Sequence, residues 1–161
     1  MPKTIDDIDR QILQLLQERG RIKRGEIAEA VGLSIPSVSE RMRKLEEAGI
    51  IEGYYAILNA KKLNLDITAF IRVSVEPSRF YPDFVERAIQ LPEVQEVHSI
   101  TGEGSHILKV RTQNTTSLEQ LLSRIQSWPG VHGTSTSIVL STYKETRQIP
   151  VLSTNHQQVA S

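Results

Sequence analysis

The chain contains no cysteine, a single tryptophan, three phenylalanines and no surplus of either charge. Without cysteine it forms no disulfide, no thiolate metal site and no catalytic thiol, and a reducing compartment is compatible with that absence. No run approaches the roughly eighteen consecutive apolar residues of a membrane span. The opening Met1-Pro2-Lys3-Thr4 is followed by an acidic helix-like run with no signal-peptide stretch, so a cytoplasmic protein with no membrane partner is expected. The four histidines, His98, His106, His132 and His156, lack metal-ligand spacing and have no acidic residues around them in a ligand pattern. Each reads as a surface or strand residue, and neither a metal nor a cofactor is expected. No G-x-S-x-G elbow occurs. Gly102-Glu103-Gly104-Ser105 precedes a strand, so it lacks the helix N-terminus that phosphate binding exploits. The expectation is a protein that is not an enzyme.

What remains is ordinary globular composition: 161 residues, 39% hydrophobic and 24% charged, enough for one domain or two small ones. A net charge of zero argues at first against nucleic acid, because phosphate binding is driven by Lys and Arg. Position along the chain changes that. Before Leu65 there are eleven bases, and nine of them fall in three clusters that no acid interrupts: Arg19, Arg21, Lys23 and Arg24; Arg41, Arg43 and Lys44; Lys61 and Lys62. The acids gather instead at Asp6, Asp7 and Asp9 and at Glu46 and Glu47, which suggests a module with one basic face.

Ile5, Ile8, Ile12, Leu15 and Leu16 recur at helical spacing, and Thr4 with Asp7 has the form of a capping box, so a first helix is expected from Thr4 to Gly20. A second runs from about Arg24 to Val31 with Ile27, Ala28 and Val31 inside, and Gly32 supplies its left-handed stop. After only Leu33, Ser34 caps a third helix with Pro36 in its first turn, closing at Gly49. So tight a junction has the outline of a helix-turn-helix. In the third helix Val38, Met42 and Leu45 face the core, leaving Ser37, Ser39, Glu40, Arg43, Lys44 and Arg41 outward. Small hydroxyls near the start and guanidinium groups further along suit a helix that reads base edges in the major groove. The competing reading is that Ser34 and Ser37 only cap, while Arg41, Arg43 and Lys44 pair with Glu40, Glu46 and Glu47. Residues 50–58 are β-prone around Gly53 and suit a small hairpin or wing, with Tyr54 and Tyr55 packing it.

Taken in order, Asp6-x-x-Asp9-x-x-Ile12-Leu13, Gly20-Arg21, Glu26-Ile27-Ala28, Val31-Gly32-Leu33-Ser34, Val38-x-x-Arg41 and Leu45-Glu46-x-x-Gly49-Ile50-Ile51-x-Gly53-Tyr54 resemble the DNA-binding half of the Lrp/AsnC, or feast/famine, transcription regulators. The resemblance implies a winged helix-turn-helix whose DNA-contacting segment runs from Arg24 to Arg43, with Arg24, Ser34, Pro36, Ser37, Ser39, Glu40, Arg41, Arg43 and Lys44 as its candidate contacts. Lys23-Arg24 departs from the small polar cap that the family often has at the second helix.

Beyond a hinge around Asn59 to Leu65, Ile67, Ala69, Ile71, Val73 and Val75 alternate with Thr68, Phe70, Arg72 and Ser74, a strand that Pro77 stops. A helix through Phe84, Val85, Ala88, Ile89 and Leu91 follows. Strands are expected around Val94 to Ile100 and His106 to Arg111, then a helix through Leu118, Leu121, Leu122 and Ile125 and a strand from about Thr134 to Tyr143. Ile89-Gln90-Leu91-Pro92-Glu93-Val94 repeats faintly as Ile125-Gln126-Ser127-Trp128-Pro129-Gly130-Val131. This βαββαβ order gives a ferredoxin-like split sheet with both helices on one face. The other face is left for a partner's sheet, which implies a dimer.

This half is similar to the effector and oligomerisation (RAM, or ACT-like) domain of the same family, with Gly102 and Pro129-Gly130-Val131 in place. The resemblance implies an effector turn at Thr101, Gly102, Glu103, Gly104 and Ser105, with Thr134 and Thr136 of the last strand as further candidates. Ser105 stands where the family usually has an acidic residue, which disfavours an ordinary amino acid and leaves an anion, another ligand or a plain turn.

The chain is thus expected to be α+β: a winged helix-turn-helix at 1–58, a hinge at 59–65, a βαββαβ effector and oligomerisation domain at 66–152 with a short last strand from Ile149 to Leu152, and a polar tail at 153–161. The expected function is sequence-specific binding of double-stranded DNA in transcription regulation, controlled by a small-molecule effector through oligomer assembly, as a homodimer and a tetramer or octamer of dimers. A sirohaem-decarboxylase-like enzyme on the same fold, and a ligand-sensing co-regulatory subunit without its own DNA binding, are the alternatives.

Overall fold

The computed structural model describes residues 4–151. They fall into two compact units, one of residues up to Ile57 together with those from Glu145 on, the other of Leu58–Lys144.

In the first unit, α1 (Asp7–Glu18), α2 (Arg24–Val31) and α3 (Ile35–Glu47) enclose Ile12, Ile27, Ala28, Val38 and Met42. The capping box sits at Asp6 and Asp9, two residues later than the expected Thr4 and Asp7. The Asp6 carboxylate accepts the Asp9 N–H at 2.8 Å, and the Asp9 carboxylate accepts the Asp6 N–H at 3.3 Å. Aspartate is the stronger cap, and this start also points Asp9 toward α3. Gly32 takes the left-handed conformation that ends α2 (φ 68°), a position that costs any residue with a Cβ. Ser34 accepts the Ser37 N–H at 3.3 Å to open α3. The helix ends one residue before Ala48, and the Ile50 and Ile51 amides then turn back to the Leu45 carbonyl. Val38, Met42 and Leu45 are all buried, as their spacing requires.

Two expectations for this unit are corrected. No hairpin forms across residues 50–58, which carry no strand; Tyr55, Ile57 and Leu58 are exposed. A lone two-stranded ribbon is marginal in water, and here the Tyr55 ring folds over Gly53 instead, where a Cβ would come within 2.7 Å of it. Nor do residues 149–151 form a strand of the second domain; Leu152 and the polar tail at 153–161 lie outside the described residues. The Ile149 peptide is occupied by the Gln17 side chain, which accepts its N–H at 2.7 Å and donates to its carbonyl at 2.9 Å. Among the described residues no helix is long and apolar enough to cross a membrane.

The second unit contains β1 (Ile67–Val75), α4 (Tyr81–Ile89), β2 (Val94–Ser99), β3 (His106–Thr112), α5 (Thr115–Gln126) and β4 (Val131–Ile138). The strands form one antiparallel sheet in the order β2-β3-β1-β4, the split βαβ topology expected from the element order. β4 ends at Ile138, five residues short of the expected Tyr143, and Tyr143 is almost fully exposed. Ala69, Ile71, Val73 and Val75 of β1 and Leu108 and Val110 of β3 pack with Phe84, Ala88, Leu118, Leu121, Ile125 and Trp128 of the helical side. Thr68, Phe70, Arg72 and Ser74 occupy the opposite face, the first three paired with Arg111, Lys109 and Ile107 of β3 and Ser74 with Gly133 of β4.

The internal repeat is visible in the hydrogen bonding. The Leu91 N–H donates to the Ala88 carbonyl and the Val94 N–H to that of Leu91. In the same way the Trp128 N–H donates to Ile125 and the Val131 N–H to Trp128. Gly130 (φ 81°) is required at the second junction, since a Cβ there would lie 2.6 Å from the Phe80 side chain.

Candidate functional site

The buried stripe of α3 fixes which side chains remain for a ligand: Pro36, Ser37, Glu40, Arg43 and Lys44 are exposed, and Ser39 is half-buried. Ser34 and Ser37 are bonded to each other, with the Ser34 hydroxyl donating to that of Ser37 at 2.9 Å. Arg24, at the start of α2, donates to the Ser39 hydroxyl at 3.2 Å and so brings a cation onto the same surface. Lys23 offers no acceptor to cap α2. Glu26 supplies the bond instead, accepting the Lys23 N–H at 3.1 Å.

Arg43 grips Glu40 through two parallel bonds, Nε to Oε2 at 2.9 Å and Nη2 to Oε1 at 2.8 Å, and also donates to Glu47. Lys44 lies 3.5 Å from the same Glu40 carboxylate. The Arg43 guanidinium, followed by the charge of Lys44, holds the Glu40 carboxyl down to about 2. Both side chains of the Arg43–Glu40 pair are about half exposed, so the pair contributes little to stability despite its geometry.

Arg41 turns toward α1 rather than outward. Its Nη1 lies 2.8 Å from Asp6 Oδ2 and 3.0 Å from Asp9 Oδ1, and the Asp9 side chain is almost completely buried. Position 41 is three residues after Val38 and four before Leu45, at the edge of the buried stripe, so its side chain meets the acidic start of α1. Tyr54 donates to Glu46 at 2.9 Å, and burial, then that carboxylate, pushes its phenol up to about 12.

In the second unit the turn between β2 and β3 exposes Thr101, Gly102 and Glu103. Ser105 is turned inward. Its hydroxyl accepts the Val75 N–H at 3.0 Å, lies 3.1 Å from the Val73 carbonyl oxygen and 2.8 Å from His106 Nδ1, and its own N–H donates to Val73. Gly104 (φ 81°) passes so close that a Cβ would sit 3.3 Å from the Val73 oxygen. Thr134 pairs with Val73 from the other side of β1, and Thr136 pairs with Ile71. Both therefore lie on the sheet face that carries the helices, and Thr134 accepts a bond from Gln126 at 2.7 Å. Thr134 and the turn are brought to the same end of β1, about 10 Å apart at two strand spacings.

His106 is a core residue that its spacing could have revealed. It alternates with Leu108 and Val110, is 1% exposed and lies between Tyr81 and Phe84, each ring 4.8 Å away. Its Nε2 has no hydrogen-bond partner, and burial pushes its pKa down. Among the described residues no group of three or more His, Asp or Glu could hold a metal ion.

Both units match family models. Residues 5–52 match the winged helix-turn-helix DNA-binding domain, and residues 68–149 match the Lrp/AsnC ligand binding domain. The chain belongs to the Lrp/AsnC family. Among curated relatives, the HTH-type transcriptional regulator FL11 of Pyrococcus furiosus is 36% identical over 147 residues, which cover 91% of this chain and 97% of FL11. The leucine-responsive regulatory protein of Escherichia coli is 36% identical over 154 residues, covering 92% and 93% respectively. Among solved structures, a transcriptional regulator of Neisseria meningitidis in complex with L-Met superposes with a TM-score of 0.87 at 35% identity, over 91% of this chain and 97% of that one. AsnC of Escherichia coli gives 0.85 at 31% identity, over 91% and 99%. This Lrp/AsnC protein is accordingly a DNA-binding transcription regulator that joins a helix-turn-helix head to a domain of the family's ligand-binding type.

Proposed function

We propose that α3 is the recognition helix, with Ser37, Ser39, Arg43 and Lys44 directed to base edges and phosphates and Arg24 to a phosphate beside them. The observation that carries this reading is the buried stripe of α3: Val38, Met42 and Leu45 pack inside the head, so the polar face has no packing role of its own. Two heads of a dimer would enter successive major grooves about 34 Å apart on a pseudo-palindromic site. Dimerisation would use the sheet face opposite the helices, where Phe70 is 38% exposed, and higher assembly would follow from dimer contacts. A regulatory role without catalysis, in the cytoplasm where the operator lies, completes the reading. Arg43→Ala is expected to weaken binding to a site selected from random DNA by about 1–3 kcal/mol and to relax selection at one base position. A footprint identical to that of the unmodified chain would refute the assignment.

For the effector, the committed Ser105 hydroxyl leaves Thr101, Gly102 and Glu103 as the free contacts of the turn. No carboxylate stands at position 105 to hold an amino group, so leucine or methionine should leave the sedimentation profile unchanged at micromolar protein. Reassembly on adding either amino acid would overturn this inference.

A further inference from the structure

Every cation of α3 is engaged by a carboxylate of the same head. Arg41 is bound to Asp6 and Asp9, Arg43 to Glu40 and Glu47, and Lys44 to Glu40. The helix itself carries three bases and three acids between Ile35 and Glu47. Of these carboxylates only Glu40 holds two of the outward cations, and it does so from the side of the helix shared with Ser37.

We propose that Glu40 is a specificity-determining residue that screens Arg43 and Lys44 from DNA in general and releases them only on a matching site. This rests on the reading of α3 as the recognition helix. The physical basis is a competition between anions. Moving Arg43 from Glu40 to a backbone phosphate exchanges one bidentate acceptor for another and leaves the Glu40 carboxylate, with only Lys44 beside it, facing the phosphates, which repel it. On random sequence that exchange gains little. On a matching site, Arg43 can form the fork to guanine O6 and N7, while the freed Glu40 accepts from the amino group of a neighbouring cytosine, so both partners are satisfied again. A simple helix-surface pair would contribute a few tenths of a kcal/mol to the head and have no effect on the choice of DNA.

The experiment compares the full-length unmodified chain with E40Q, E47Q and R43A on two duplexes, one of random sequence and one selected by the unmodified chain, across a range of salt. Glu40 is about half exposed, so E40Q should melt with the unmodified chain. Each cation freed for a phosphate steepens the dependence of log K on log salt by about 0.9. E40Q frees Lys44 outright and leaves Arg43 held by Glu47 alone, so it should steepen the slope on random duplex by about 0.9 or more and tighten that binding about tenfold at 0.1 M salt. Affinity for the selected duplex should change much less, so the ratio between the two sites falls. E47Q leaves Lys44 held and should move the slope by less than E40Q. An unchanged slope and affinity for E40Q on random duplex overturns the proposal, as does an equal shift for E47Q. R43A separates the two readings. If R43A binds the selected duplex normally, α3 is not the recognition helix; if R43A weakens that binding while E40Q changes nothing, only the screening role fails.

Discussion

Replacement of Arg41 by alanine is expected to lower the unfolding free energy of the helix-turn-helix unit by about 2–4 kcal/mol, a large share of the marginal stability of a domain this size. The cost comes from what is left behind. Asp9 is 2% exposed, and removing the guanidinium takes away a charged donor 3.0 Å from its buried carboxylate. Breaking one side of a buried pair costs more than the pair contributed, because the remaining charge stays out of water. The half-exposed Asp6 adds less. Its carboxyl is nevertheless held below its ordinary 3.8, first by the Asp9 N–H and then by Arg41. A carboxyl depressed in the folded state stabilises above its unfolded pKa, so this part of the network is complete above about pH 4 and is lost as the pH falls further. Arg41→Ala should flatten that acid limb. The single tryptophan, Trp128, lies in the second unit, so its fluorescence follows that unit while far-UV circular dichroism also reports the helices of the head. The expected outcome is an early loss of helical signal in urea with an unmoved Trp128 transition. A head transition within about 0.5 kcal/mol of the unmodified chain would show that Asp9 does not depend on Arg41.

That role for Arg41 shows where the sequence stops being sufficient. Helix positions followed from the spacing of Ile12, Ile27, Val38 and Leu45 and from the Gly32 and Ser34 signals, because those are local. The sheet order followed from the period-two run of Ile67 to Val75 and the order of elements. Two overlapping four-residue patterns, Thr4 with Asp7 and Asp6 with Asp9, could each have opened α1. The stronger aspartate cap favours the second, and Arg41, thirty-two residues away from Asp9, bonds to both of its members, a contact that only the fold supplies. The bond between Gln17 and Ile149, 132 residues apart, involves a polar side chain with no periodic signature at all. Residues 50–58 have strand propensity without a strand to pair with, and propensity alone does not decide a pleated segment. His106 differs from these, since its alternation with Leu108 and Val110 is legible in the sequence and marks it as inward-facing.

Phe84→Ala should have the larger effect, about 3–5 kcal/mol on the second unit. Phe84 is fully buried, its ring tilted against that of His106 at 4.8 Å and edge-on to Trp128 at 5.7 Å. The rigid sheet behind it, with Ile71, Val73 and Leu108 at zero exposure, cannot collapse into the space, so most of the cavity penalty is retained. The pH dependence gives a second readout. Burial pushes the His106 pKa below its ordinary 6.5, so the folded chain holds it neutral while the unfolded chain takes up a proton. Stability is therefore complete above about pH 6.5 and falls as the pH drops below it, the sign expected of a depressed histidine. Removing the Phe84 ring opens a path for water to the unpartnered Nε2, which lets the folded imidazole accept the proton. Urea unfolding followed by Trp128 fluorescence should thus show a much lower midpoint for Phe84→Ala at pH 8 and a smaller further loss at pH 5.5 than the unmodified chain suffers. A full midpoint at pH 8 would mean that the sheet closes over the gap. An undiminished loss at pH 5.5 would mean that water does not reach His106, and that Tyr81 alone keeps the imidazole dry.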